Sequence, residues 1–497
     1  MIGFKDVSDL RLPLLTIPLA MLLALPVAVA QERAAVLPEE SSTAAPEPDA
    51  SPAVEPMQLD PDRTKKSYVI PALEIVGFNF ALNRFDKRFM DDTETFNVSA
   101  ATIRRNLKGP WVVDNDPFSV NQFLHPYHGS IYHTTARSAG LGYWQSALYT
   151  FLGSALWEIA GETEPPSKND QIASGIAGSF FGEALFRMAS LTLEESNGVP
   201  KVWRSVGATA ISPMTGFNRL VFGNRFDAIL PGHEPAYFTR WNFGAPVAER
   251  RVQGTSQSTR RNEALLDVAF VYGLPGKPDY VYRRPFDYFN FEFVASTENV
   301  LESIMTHGLL AGKEYRSGKS YDGVWGLYGS YDYIAPDVFR ISSTAVSMGT
   351  TAQWRLPGPV TMQSTLLGGV GYGAGGTLEG TAADRDYHYG LTPQSLIGVR
   401  FVFGKVASLD LAARGYRITT ILSTADRGWE NVGRADASLT VRLFGPHALT
   451  VKYLAARRYA SYPDLGFRDQ RRDTISVFYT IVRDRRMGAV PERGPNQ

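Results

Sequence analysis

The sequence predicts an α+β chain: an N-terminal helical module followed by an antiparallel transmembrane β-barrel of about 12 strands. Three observations predict it. Apolar residues recur at helical spacing between Val69 and Leu193. From about Asn262 the period changes to two, in runs of about ten residues separated by turn signals. The first residues carry an export signal, and no later segment offers the roughly twenty uninterrupted apolar residues that a spanning helix needs.

Composition narrows the classes. A chain of 497 residues is too long for one ordinary core, so two domains are expected. Its 50 basic residues are matched by 50 acidic ones, which gives no basis for a nucleic-acid partner. The absence of cysteine excludes disulfides, thiolate metal sites, cysteine nucleophiles and a lipidated N-terminal cysteine. The 45 glycines and 12% aromatic content suit strands and turns.

Residues 1–30 read as a signal peptide: Lys5 and Arg11 supply the basic flank, Leu12–Val29 the apolar run, and Ala28-Val29-Ala30 a small-x-small cleavage site before Gln31. A retained anchor is the competing reading, and Pro13, Pro18 and Pro26 weigh against it. Residues 31–66, rich in Ala, Pro, Glu and Ser, form a disordered linker because they cannot bury enough apolar surface to offset ordering. Residues 67–200 form the helical module. Within it, Val69–Phe85 and Asn97–Leu107 have helix-compatible patterns, and Trp111–Pro117 is a turn-rich connection. Pro126 suits the first turn of a helix reaching about Ser138, and Tyr143–Ile159 forms the next. Ser167 with Asp170 has capping-box spacing and opens a helix to about Leu193, whose Gly175, Gly178 and Gly182 permit close helix approach.

Residues 201–261, with many Gly, Pro and Asn, read as a loop-rich connection. Residues 262–484 hold eleven candidate strands. In one, Arg434, Asp436, Ser438, Thr440 and Arg442 interleave with Ala435, Ala437, Leu439, Val441 and Leu443. Spanning strands must pair all their backbone groups, so the sheet must close. Even strand numbers are usual in bacterial single-chain barrels, which makes about twelve the expected count. Tyr331, Tyr333, Trp354, Tyr372 and Tyr459 fit interfacial girdles and weigh against a soluble barrel. Residues 485–497 read as a polar tail.

Ligand and acid–base residue types gather in the module: His125, His128, His133, Glu158, Glu162, Asp170 and Glu183. On facing helices such groups can converge, and a histidine beside carboxylates can serve as general base or hold a divalent metal. His125, His128, Glu158 and Asp170 are the candidate catalytic set; the spacing matches no zinc signature, so neither metal nor cofactor is assigned. The bland readings rank ahead. Asp170 is explained as a capping acid, Glu158 with Arg137 as an interhelical ion pair, and the glycines as packing positions.

The block Asn121, Phe123, His125, Pro126, Tyr127, His128, Gly129, Tyr132 and Arg137 resembles an uncharacterised bacterial family, a domain of unknown function found in exported proteins. The likeness continues through Trp157, Glu158, Ser167, Asp170, Gly178, Gly182 and Glu183. It implies export and no particular activity. The expected protein resides in the outer membrane with the module on the periplasmic side, beneath the barrel mouth or against the inner leaflet. Its partners are outer-membrane lipid and the barrel-assembly machinery. Envelope organisation or small-molecule passage is the expected role, and an enzyme acting on an envelope substrate is the alternative.

Overall fold

The structure is a computed structural model that describes residues 66–90, 94–194, 199–223, 235–253, 256–258, 263–336, 338–377, 387–420, 428–463 and 466–491. The signal peptide, the linker up to residue 65 and the last six residues lie outside that set.

The module begins with α1 (Val69–Phe89) and α2 (Ala100–Lys108). Ser99 caps α2 through a reciprocal bond with Thr102, and such a cap satisfies end donors that the helix leaves orphaned. A π turn, Val120–Leu124, leads into α3 (His125–Ser138), whose first turn holds Pro126. Next come α4 (Tyr143–Ala160), the short α5 (Lys168–Ile172), a second π turn (Ala173–Ala177) and α6 (Gly178–Glu194). Helices α3 and α6 cross at glycine: a Cβ on Gly178 would strike the Gly129 backbone, and one on Gly129 would overlap the Ser174 carbonyl. Two further helices, α7 (Lys201–Ile211) and α8 (Pro213–Phe222), occupy part of the stretch expected to be loops.

The barrel has twelve strands in sequence order. They are β1 (Tyr237–Gln253), β2 (Leu265–Tyr272), β3 (Phe289–Ser296), β4 (Ser303–Ser317), β5 (Tyr321–Ile334) and β6 (Phe339–Arg355). Then come β7 (Val360–Thr377), β8 (Tyr387–Phe403), β9 (Ala407–Thr419), β10 (Trp429–Phe444), β11 (His447–Tyr462) and β12 (Gly466–Val482). Each pairs antiparallel with its neighbour, and β12 pairs with β1 from Val482↔Arg240 to Gln470↔Gln253, so the sheet closes.

Eleven of these strands overlap the alternating runs read from the sequence. The twelfth, β1, lies inside residues 201–261 and corrects the loop-rich reading there. Gly244 and Pro246 disguised it. Pro246 sits at the bulge where the β1–β12 register shifts, a place where a strand tolerates proline. Gly244 sits where a side chain would overlap the Val477 carbonyl.

Side chains alternate between a lumen and an outer wall. Lumen-facing charges pair across the barrel: Arg240 with Asp410 at 2.8 Å, Lys452 with Asp267 at 2.7 Å, and Arg414 with Glu292 at 3.3 Å. Arg472 binds both Glu302 and Glu249, at 2.7 and 2.8 Å. These groups are buried or nearly so. The tail also contacts the barrel. Gln363 donates to the Gly488 carbonyl at 2.8 Å, Gln353 donates to the Val490 carbonyl at 2.9 Å, and Met487 and Val490 pack on Phe238, Val402 and Val482. The part of the polar tail nearest β12 thus packs into one end of the barrel.

The outer wall carries exposed Trp325, Leu327, Met348, Leu366, Ile397, Leu439, Val451 and Tyr479. Over β2–β5 the same wall is covered. Phe181 stacks on Phe291 with ring centroids 6.3 Å apart, Phe118 lies 5.8 Å from Tyr333, and Phe180 packs on Gly329. Phe291 and Tyr333 alternate with Glu292 and Asp332, which face the lumen, so the helices lie against the outside of the barrel. Of the two positions expected, beneath the barrel mouth or against the inner leaflet, this corrects the first. The module is seated on the wall.

Candidate functional site

The turn-rich segment before α3 is tied to the start of α5 by a parallel bridge between Val112 and Ser167. That bridge brings Asp114 beside Asn169. The Asp114 backbone donates to Asn169 Oδ1 at 3.0 Å, while the Asn169 and Asn121 amides both donate to Asp114 Oδ1, at 2.8 and 2.6 Å. Ser167 caps α5 by accepting from the Asp170 backbone N–H. Its own N–H donates to Glu158 Oε2 at 2.9 Å, so Glu158 takes the place that a reciprocal capping acid would fill.

The geometry brings together three of the four residues offered as catalytic. His125 opens α3, Glu158 ends α4 and Asp170 lies in α5; all three are buried, and one donor atom from each lies within 4.8 Å of the others. His125 Nε2 is 3.6 Å from Asp170 Oδ2, and its Nδ1 is 3.4 Å from Ser174 Oγ. The two π turns stand on either side, immediately before His125 and three residues after Asp170, and such turns recur at functional sites. Two buried oxygens in this neighbourhood, Glu158 Oε1 and Asn121 Oδ1, have no hydrogen-bond partner.

His128 does not join them. It bonds the Tyr132 hydroxyl at 2.7 Å, and that hydroxyl donates to Asn79; its ring stands edge-on to Phe78 and Trp157. It belongs to the contact between α1, α3 and α4.

The electrostatics follow from burial without a cation. No lysine or arginine pairs with Asp114, Glu158 or Asp170 among the described residues. Burial raises Glu158 and Asp170 well above the carboxylate range, and neighbouring acids raise both further. Asp114 is also buried, but hydrogen bonds from Asp170, Asn169 and Asn121 hold it below its ordinary value. Burial pushes His125 down to about 4, against the pull of Asp114. The resulting cluster is acid-rich, with three carboxyl groups around one imidazole.

A second polar cluster sits further along the same helices. Glu183 accepts from Arg137 at 2.7 Å and from Arg187 at 2.8 Å, and lies 3.1 Å from His133 Nε2. Arg187 also reaches the barrel, pairing with Asp287 at 3.0 Å and donating to the Pro285 carbonyl at 2.7 Å. Burial alone would raise Glu183, but Arg137, His133 and Arg187 outweigh it and hold the carboxylate far below its usual range. Arg137 therefore pairs with Glu183, which corrects the expected Glu158–Arg137 ion pair.

Sequence reading missed Asp114, Asn169 and two tyrosines of the barrel. Tyr389 accepts from Asn169 at 2.9 Å and from Gln122 at 3.0 Å, and Tyr387 accepts from Asn121 at 3.0 Å. Nothing in local periodicity points across more than 200 residues to those hydroxyls. Of the motif residues, Asn121 and Ser167 hold the first cluster, and Trp157 packs edge-on to His128. Tyr132 supports His128, Arg137 and Glu183 form the second cluster, and Gly129, Gly178 and Gly182 line the α3–α6 crossing. Phe123, Pro126 and Tyr127 lie at the head of α3, where the Phe123 and Tyr127 rings stack and pack on the barrel-facing core.

No curated protein is similar to the chain by sequence. Among solved structures, Pseudomonas aeruginosa OpdQ is 11% identical with a TM-score of 0.19, covering 50% of this chain and 98% of its own. OccAB3 of Acinetobacter baumannii is 9% identical with a TM-score of 0.20, covering 50% and 99%. Salmonella typhi OmpF in complex with daunomycin is 8% identical with a TM-score of 0.19, covering 50% and 98%. Likenesses with scores this low assign no activity to the chain. Over residues 110–214, which span both polar clusters except their barrel partners, the chain is similar to the family described as Domain of unknown function (DUF3943).

Proposed function

We propose that this chain is an outer-membrane β-barrel protein whose helical module shares the bilayer with the barrel, and that its role is to organise the envelope through that module. One observation carries the reading: barrel and module are both turned inside out. In α1, Asn79, Asn83 and Asp86 are buried while Val69, Leu73, Val76 and Phe80 are more than half exposed. In α4, Ser146, Thr150, Ser154 and Glu158 are buried while Trp144, Leu148 and Leu152 are exposed. A helix in water shows the opposite arrangement. Apolar patches this large mark a partner surface, and the adjoining wall of the barrel is apolar too, so lipid is the partner that fits both. No helix among the described residues is long and apolar enough to cross a membrane.

Passage of solutes through the lumen is not the role we adopt, because many of its charges are buried in ion pairs and the tail packs into one end. Insertion by the barrel-assembly machinery follows from the architecture we propose. The test is twofold. The protein should fractionate with outer membranes, need detergent for release, and migrate faster on a gel unheated than boiled. Brominated lipids should quench its tryptophan fluorescence, and the quenched share should fall when Trp144 and Trp203 are replaced by phenylalanine. Release without detergent would overturn the membrane reading, and an unchanged quenched share would free the module from the bilayer.

A second reading, chemistry on an envelope substrate, is favoured by one observation: His125, Glu158 and Asp170 meet. Its test is a His125→Ala protein that folds and loses a wild-type phenotype.

A further inference from the structure

We propose that His125, Glu158 and Asp170 bind one divalent transition-metal ion of the zinc or manganese type where α3, α4 and α5 meet. This does not rest on the membrane reading. Three separate helices deliver one donor each to the same small volume, and all three donors are buried. The donor set, one imidazole with carboxylates, suits ions that accept both nitrogen and oxygen rather than thiolate-seeking ones.

A second, independent observation points the same way. Glu158 is fixed through Oε2 by the Ser167 backbone, and its Oε1 is buried with no hydrogen-bond partner. Asn121 Oδ1, on the amide that holds Asp114, is likewise buried and unpartnered. Buried polar atoms are usually satisfied, and these two orphaned oxygens beside a His/Glu/Asp cluster are open to an electropositive partner. Among the described residues the module supplies none: its buried Arg137 and Arg187 are both committed to Glu183. The ligands also have the outer support that metal sites use. Ser174 stands at hydrogen-bond distance from His125 Nδ1, Asn169 donates to Asp170 Oδ1 at 3.1 Å, and Ser167 holds Glu158.

The experiment uses the full chain in detergent, stripped with a chelator and exposed to zinc alone or manganese alone, with bound metal counted by elemental analysis. The expected result is one ion per chain for at least one of the two metals. Glu158→Gln and Asp170→Asn, which change shape very little, should weaken retention by roughly tenfold or more. Heat-modifiable migration confirms that each variant keeps its barrel. The wild type gives a measure that needs no variant, because the bound ion should raise the temperature at which its module unfolds. No retained zinc or manganese in the wild type would overturn the proposal. So would equal retention in Glu158→Gln.

Discussion

The module contains two buried polar clusters built on the same helices, and they solve the cost of burial in opposite ways. Around Glu183 the charges balance: one carboxylate faces two guanidiniums and a histidine, and Arg187 carries the network on to Asp287 in the barrel. Around His125 they do not: Asp114, Glu158 and Asp170 gather with no guanidinium or ammonium, and two oxygens lack partners. Ion pairs that are complete inside a protein hold elements in register. Clusters left incomplete are where a ligand or a proton must enter. The difference separates a fastener from a candidate site, which residue type alone could not do.

The largest effect should come from breaking the fastener. Glu183→Ala leaves Arg137 and Arg187 buried with one carboxylate fewer, and removing one partner of a buried pair costs about 3–5 kcal/mol. Denaturant unfolding of the detergent-solubilised protein, followed by tryptophan fluorescence, should show the module unfolding first while heat-modifiable migration reports an intact barrel. Next is the α3–α6 crossing. Gly129→Ala pushes a methyl group into the Ser174 carbonyl, and overpacking of this kind costs about 1–3 kcal/mol. Because Ser174 Oγ faces His125, the same substitution should also disturb the first cluster. A Gly129→Ala protein as stable as wild type would mean the helices can part at no cost.

Acid should reach the two clusters unequally. The Glu183 carboxylate titrates below its ordinary value of 4.5 because Arg137, His133 and Arg187 outweigh its burial. A group depressed in this way contributes stability that is fully present above its unfolded pKa and is lost as pH falls through the folded one. Unfolding of the module should therefore become easier from about pH 4 downward. The acid-dependent loss should shrink in a Glu183→Gln protein, whose amide does not titrate. An identical acid profile in that variant would remove Glu183 as the source.

How much of this was legible in the sequence depends on the range of the signal. The alternation of Arg434 to Leu443 and its ten companions is local, and an apolar wall around a polar lumen imposes it strand by strand. Strand β1 was hidden because Gly244 and Pro246 serve contacts with β12, which lies more than 200 residues away. Helices α3, α4 and the run into α6 were legible from their apolar spacing and from Pro126 and Ser167. What could not be read was partnership. Glu158 and Glu183 are both acids on helices near Arg137, and only the crossing of α3 with α6 decides which one it meets. The turn-rich segment holding Asp114 joins the site through a single backbone bridge that has no periodic signature. The exposed side of α1 was visible as apolar residues, but their outward direction was not: polar Asn79 and Asn83 point inward to the Gly153 and Gly161 carbonyls.

The smallest expected change sharpens the comparison most. Glu158→Gln alters one buried group by an oxygen-to-nitrogen exchange, at a position where burial already favours the neutral form. Its Oε2 role, accepting from the Ser167 backbone, can be taken by the amide oxygen, and the amide nitrogen can face the unpartnered side. With metal removed, the variant should unfold within about 1 kcal/mol of wild type, in the range of substitutions that disturb no packing or pairing. Glu183→Gln removes a charge that two arginines use, so it should cost several times more under the same conditions. Equal losses for the two would mean that Glu158 is also a structural anion with a partner inside the protein. The contrast between a balanced cluster and an open one would then fail on stability alone, whatever metal the protein retained.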